Sequence, residues 1–106
     1  PGLATGAQSL VKQASRIPTV AMEMPDKAIG DETISALQSG IMLGHIGAVQ
    51  ELIRRFRAEI GVPVTAVVGT GGMAEKLIPF CSEITHQEPD LTLMGLLGAA
   101  DRLKML

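Results

Sequence analysis

The sequence predicts an α/β protein whose sheet has a parallel component. Three observations carry that prediction. Helical and strand-like apolar patterns alternate in the order helix, strand, long helix, strand, helix, strand, helix. The longest pattern, over residues 33–60, repeats at three and four residues, and the valine-rich run over residues 62–69 is bounded by breakers. Alternation of this kind is met by parallel strands joined through helices, with right-handed crossovers setting successive helices against the sheet.

The first element is a helix over residues 7–16, in which Ala7, Leu10, Val11 and Ala14 share a face, Thr5 is available as a cap, and Pro18 ends the run. Residues 19–24 are compatible with a short strand, and Pro25-Asp26 signals a turn into Ala28-Ile29-Gly30. The long helix follows from Thr33 to Ile60, stopped by Gly61 and Pro63. Its stripe of Ile34, Leu37, Ile41, Gly44, Ala48, Leu52 and Phe56 is expected to be buried along a length of about 40 Å. Gly40, Gly44 and Gly47 each cost such a helix about 1 kcal/mol relative to alanine. Either another backbone approaches closely there, or the helix bends. Residues 62–69 then read as a buried strand, residues 73–80 as a short helix and residues 83–87 as a third strand. Asp90 or Thr92 caps a last helix in which Leu93, Leu96, Leu97, Ala100 and Leu103 share a face. Three short strands are a thin sheet for so many helices, and the chain opens on Pro1 and not on methionine. Further strands are therefore expected before Pro1.

Composition narrows the function. With 106 residues, 46% hydrophobic and 19% charged, the chain has the material of one folded unit with a modest core. A net charge of -2 without a basic tract gives no footprint for nucleic acid. Arg54, Arg55 and Arg57 are interleaved with Glu51 and Glu59, the pattern of a solvated helix face. Trp and Tyr are absent, and only Phe56 and Phe80 are aromatic, which leaves no stacking platform for bases. No signal peptide or spanning run of apolar residues is evident, so no membrane role is expected. The single Cys81 fits a reducing compartment.

The segment richest in chemical meaning is Val67-Val68-Gly69-Thr70-Gly71-Gly72, where an apolar run breaks into three glycines around one hydroxyl before a helical pattern. Such a junction lets a nucleotide approach bare backbone beside a helix start, and it equally serves as ordinary turn chemistry. It is neither a P-loop nor a dinucleotide fingerprint, since no Gly-Lys-Ser/Thr follows and the glycine spacing differs. His45 and His86 lack the spacing of a metal site and read as packing or surface residues, and no metal-ligating residue is expected. Cys81 follows a helix, away from an N-terminus that would activate a thiol. Asp26, Asp31, Glu32 and Thr33 surround the entry to the long helix. Thr33 serves there either as its N-cap or, with free N–H groups, as a contact for a polar substrate. No catalytic base or acidic phosphate-transfer motif stands out, so the catalytic residue is unknown and the segment reads as supplying positioning elements.

Pro1-Gly2-Leu3, Ile29-Gly30-Asp31-Glu32-Thr33, Gln38-Ser39-Gly40, Gly44, Thr70-Gly71-Gly72 and Leu91-Thr92-Leu93-Met94-Gly95-Leu96 occur in this order. In order and spacing they resemble the C-terminal half of type III pantothenate kinases, the Bvg accessory factor-like family, over essentially all 106 residues. The resemblance implies a ribonuclease-H-like domain of the acetate and sugar kinase, Hsc70 and actin superfamily, incomplete on its N-terminal side. Residues 1–106 would then be the C-terminal domain of a longer two-domain polypeptide. The implied activity is ATP-dependent phosphorylation of pantothenate at its 4′-hydroxyl, the first step of coenzyme A synthesis, in the cytoplasm. Mg2+ and a monovalent cation, K+ or NH4+, would assist, and the enzyme would be a homodimer. By the same resemblance Thr70, Gly71 and Gly72 line the adenosine side of the cleft, Gly2 lies near the phosphates, and Thr33 contacts pantothenate.

Two departures matter. The family commonly has Gly-x-Asn-Thr where this chain has Gly30-Asp31-Glu32-Thr33, which exchanges an amide for a carboxylate. The family's phosphate loop, catalytic aspartate and cation-associated aspartate have no counterparts in residues 1–106. Two other functions share the scaffold: a non-catalytic interaction or regulatory domain, and a sugar- or acetate-type phosphotransferase.

Overall fold

The computed structural model describes residues 2–13 and 21–104. It divides into two compact units, residues 1–63 and residues 64–106.

In the first unit α1 spans Leu3–Gln13, four residues earlier than its apolar spacing predicts. Thr5 therefore lies inside the helix and does not cap it. Leu3 is buried and Ala7 half-buried, while the expectations for the Leu10, Val11 and Ala14 side chains, Pro18, Thr19 and Val20 fall outside the described residues. Residues 21–24 form no strand.

The long helical pattern is realised in three continuous pieces: α2 over Thr33–Gln38, a π turn over Ser39–Leu43, and α3 over Gly44–Ile60. Gly61 ends α3 at φ 74°, in the left-handed region suited to a glycine cap. The π turn corrects the predicted stripe. An extra residue in one turn rotates everything beyond it by about 100°. The inward line accordingly moves one position, from Gly44, Ala48 and Leu52 to His45, Val49 and Ile53, all half-buried. Met42 and Ile46 are buried beside it, whereas Leu52 and Phe56 are 50% and 54% exposed. Ile34, upstream of the turn, is also exposed. α1 packs on the π turn. A Cβ added at Gly40, Gly44 or Gly47 would meet nothing within 4 Å, so no other backbone of the described chain approaches there. Gly40 lies within the π turn, which favours the bend as the use of that glycine.

In the second unit the sheet is a parallel pair, β1 over Val68–Gly69 and β2 over His86–Gln87, with Val68 opposite His86 and Gly69 opposite Gln87. Between them come α4 over Ala74–Leu77 and a 3-10 turn over Ile78–Phe80. The parallel component is as predicted, but only two strands occur among the described residues, and both are shorter than the predicted residues 62–69 and 83–87. A strand extends only as far as its ladder partner. Residues 62–66 find no partner strand, and Val62 is 64% exposed. Leu77 and Cys81 form the buried centre of this unit. Last comes α5 over Leu91–Arg102, with Asp90 at its N-cap position but making no side-chain cap bond. Of its predicted apolar face, Leu93, Leu96 and Leu97 are exposed, as is Leu103 just beyond the helix, and Ala100 is half-buried.

Candidate functional site

Thr33 is the first residue of α2 and exposed. It is not the cap. Glu32 takes that position with extended backbone angles, and its Oε1 accepts from the Ser35 N–H at 3.2 Å. Ser35 Oγ accepts in return from the Glu32 N–H at 3.3 Å, closing a reciprocal capping box. One of the N–H groups expected to be free for a substrate is therefore already satisfied by the chain's own carboxylate. Glu32 thus places its acceptor over the first helical turn, the position of an N-cap side chain.

Before Thr33, residues 21–32 form a loop held against α2. Gln38 Nε2 donates to the Ala21 carbonyl at 3.2 Å, and Ser39 Oγ donates to the Ala28 carbonyl. Gly30 lies so close to the helix that an added Cβ would overlap Ala36 N and Cα and sit 2.8 Å from the Ser35 carbonyl carbon. Only glycine fits that approach. Loop and helix together enclose an open, largely polar pocket of about 470 Å³, lined among others by Glu23, Asp26, Lys27, Asp31, Ser35 and Gln38. A volume of this order suits a small molecule. Gly2 belongs to a different place. It lines a shallow groove of about 280 Å³ between α1 and the α3 start, with Gly6, Ile41, Gly44, His45 and Ala48. Thr33 lines neither cavity.

In the second unit Thr70, Gly71 and Gly72 form an exposed turn at the carboxyl end of β1, leading into α4. Gly71 has φ 97°, and neither it nor Gly72 has an atom within 4 Å of an added Cβ, so the turn offers backbone unobstructed by side chains. Its base is tied down. Thr85 N–H donates to the Val67 carbonyl at 2.9 Å, Val67 N–H donates to Thr85 Oγ1 at 2.9 Å, and Glu88 N–H donates to the Gly69 carbonyl at 3.0 Å. In parallel α/β structures the crevice outside the carboxyl ends of strands is the usual place for a ligand.

The remaining candidates occupy packing or surface positions. His45 is half-buried in the groove beside α1, and His86 Nδ1 lies 2.7 Å from Thr85 Oγ1. Cys81 is buried, and burial, followed by the nearby Glu83 carboxylate, pushes its thiol up from the ordinary value. Arg54 and Arg55 both bind the Glu51 carboxylate on the solvent side of α3, as expected of a solvated face.

Residues 1–55, half of the chain, match the family model described as type III pantothenate kinase. The chain belongs to the type III pantothenate kinase family. It is 46% identical over 96 residues to a type III pantothenate kinase of Dehalococcoides mccartyi strain CBDB1, a match covering 91% of this chain and 36% of that protein. It is 42% identical over 103 residues to the Thermomicrobium roseum type III pantothenate kinase, covering 97% and 39%. Against the Saccharopolyspora erythraea type III pantothenate kinase it is 40% identical over 106 residues, covering 96% and 40%. The chain thus spans between 36% and 40% of the length of these relatives. The pantothenate kinase family implies the actin, Hsc70 and sugar-kinase fold. The residues matched to its model include Gly2 and Thr33, together with Gly30, Gln38 and Ser39. In sequence Gly30, Gln38 and Ser39 belong to the family pattern and carry no local signal of the contacts they make between loop and helix. The three-residue spacing from Glu32 to Ser35 was the available signal for the cap.

Proposed function

We propose that residues 1–106 are the C-terminal, ribonuclease-H-like part of a two-domain kinase that transfers the γ-phosphoryl group of ATP to the 4′-hydroxyl of pantothenate, opening coenzyme A synthesis in the cytoplasm. The match of residues 1–55 to the family carries this reading. The share of each relative that the chain spans supports the two-domain part of it.

In this reading the chain's own residues position the reactants. The Thr70-Gly71-Gly72 turn carries the adenosine side of ATP on bare backbone, and its unobstructed surface and tied base suit that task. Gly2 lies toward the phosphates, and Thr33 Oγ bonds pantothenate at the mouth of α2. Transfer breaks the bond from Pγ to the β-bridging oxygen and forms one to the acceptor oxygen, whose proton goes to an aspartate elsewhere in the polypeptide. Mg2+ and K+ or NH4+ would offset charge on the phosphates. Among the described residues no group of three or more His, Cys, Asp or Glu side chains could hold a metal, so no ligand set is assigned in this chain. No described helix is long and apolar enough to cross a membrane. A homodimer is part of the same reading.

The test is turnover of ATP and pantothenate by the full-length protein, with 4′-phosphopantothenate identified by mass. Robust turnover of acetate or a sugar in place of pantothenate refutes the assignment, and absence of any phosphoryl transfer favours the interaction-domain alternative.

A further inference from the structure

We infer that Ser39 is a positioning residue for the acceptor substrate, acting through the loop of residues 21–32. The inference rests on the proposed kinase function and adds to it that the acceptor occupies the pocket between this loop and α2.

The loop has no regular secondary structure, yet it supplies most of the lining of the 470 Å³ pocket. Its shape therefore depends on attachments to α2 and the π turn. There are four, spaced along its length: Gln38 on the Ala21 carbonyl, Ser39 on the Ala28 carbonyl, Gly30 against Ser35 and Ala36, and the Glu32 cap at the helix entry. Gln38 and Ser35 also line the pocket, so their effects on a ligand would mix direct contact with positioning. Ser39 and Ala28 do not line it, so whatever Ser39 does for a ligand passes through the backbone it holds.

The direction of the Ser39 hydroxyl is informative. A serine within a helix ordinarily returns its hydroxyl to a carbonyl three or four residues back. Here it leaves the helix for the loop. Ser39 opens the π turn, the point at which the helix changes register so that residues before it serve the loop and Met42 and Ile46 beyond it are buried. π turns are frequent at functional sites for this reason, since they aim side chains that a regular helix would misdirect.

The experiment compares Ser39→Ala and Ser39→Thr with the unsubstituted full-length protein. Losing one neutral hydrogen bond to the loop should raise KM for pantothenate about tenfold, with kcat within about twofold and KM for ATP unchanged. Amide exchange over residues 21–32 should quicken about tenfold while α3 keeps its protection. Ser39→Thr, which keeps the hydroxyl, should restore both. Unchanged loop exchange in Ser39→Ala, a rise in KM for ATP equal to that for pantothenate, or failure of threonine to rescue overturns the inference. Faster loop exchange with KM for pantothenate unchanged also overturns it, while the proposed kinase function stands. Absence of pantothenate turnover in the unsubstituted protein overturns the proposed function, and this inference with it.

Discussion

Adding a single methyl group should move stability in opposite directions at two glycines of the first unit. At Gly30 the new Cβ would overlap Ala36 N and Cα and lie 2.8 Å from the Ser35 carbonyl carbon. These are backbone atoms of a capped helical turn, so they cannot swing aside as the end of a side chain would. Overpacking of this kind costs about 1–3 kcal/mol, against about 0.4–1 kcal/mol gained from a stiffer unfolded chain. Gly30→Ala should therefore destabilise by about 1–2 kcal/mol. Gly44 sits at φ -60° and ψ -43°, with nothing within 4 Å of an added Cβ. Gly44→Ala pays no steric cost and removes the helix penalty of glycine, so it should stabilise by up to about 1 kcal/mol. Urea unfolding of both variants, read as the shift in midpoint at constant m-value, measures the difference. If Gly30→Ala is as stable as Gly44→Ala, the close packing of the loop on α2 is wrong, and with it the account of how the pocket is shaped.

Gly71→Ala forces an L side chain to φ 97° and should cost about 1 kcal/mol, whereas Gly72→Ala, without a positive φ, should cost less. On the proposed function the first raises KM for ATP and leaves KM for pantothenate alone; the reverse pattern counts against the adenosine role of the turn. Hydrogen bonds from Arg54 and then Arg55 hold the Glu51 carboxyl down to about 2 from 4.5. Its folded value is depressed, so its contribution to stability is full above the unfolded value and fades as pH falls toward 2. NMR titration of the Glu51 carboxyl should give a midpoint that rises in about 1 M salt, since the pair is exposed and screened, and an ordinary midpoint at low salt would refute the pairing. The buried, raised Cys81 thiol should react with a disulfide reagent at about pH 8 only as fast as the protein opens, so immediate labelling of the native protein contradicts its burial.

Legibility in the sequence followed the range of each interaction. Signals settled within a few residues were readable, Gly61 as the stop of α3 and the turn at Thr70-Gly71-Gly72, and the parallel component was readable from the alternation of elements. The α3 stripe was readable as a face but not as an address. Its three-and-four spacing runs unbroken from Ile34 to Phe56, and nothing in that spacing marks the extra residue at Ser39–Leu43 that turns His45, Val49 and Ile53 inward. The strand lengths were not readable, because residues 62–66 find no partner strand, whereas Val67 is already tied to Thr85.

The candidate site shows the same division at the scale of one residue. By the family resemblance, Glu32 looks in sequence like a departure that swaps the amide of Gly-x-Asn-Thr for a charge beside Thr33, the proposed pantothenate contact. In the structure its carboxylate is engaged with the Ser35 N–H, and Ser35 Oγ answers with the Glu32 N–H. The charge is thus turned onto the helix that Thr33 begins, where a negative group at the N-terminus is favourable. What the substitution alters is the donor inventory, since a carboxylate only accepts where an amide also donates. On the proposed function, a Glu32→Asn variant should keep the α2 entry, read as unchanged amide-exchange protection over residues 33–38, and shift KM for pantothenate without abolishing turnover. That separates a loss of catalytic function, which the departure taken alone suggests, from a change in one contact, which the cap geometry supports.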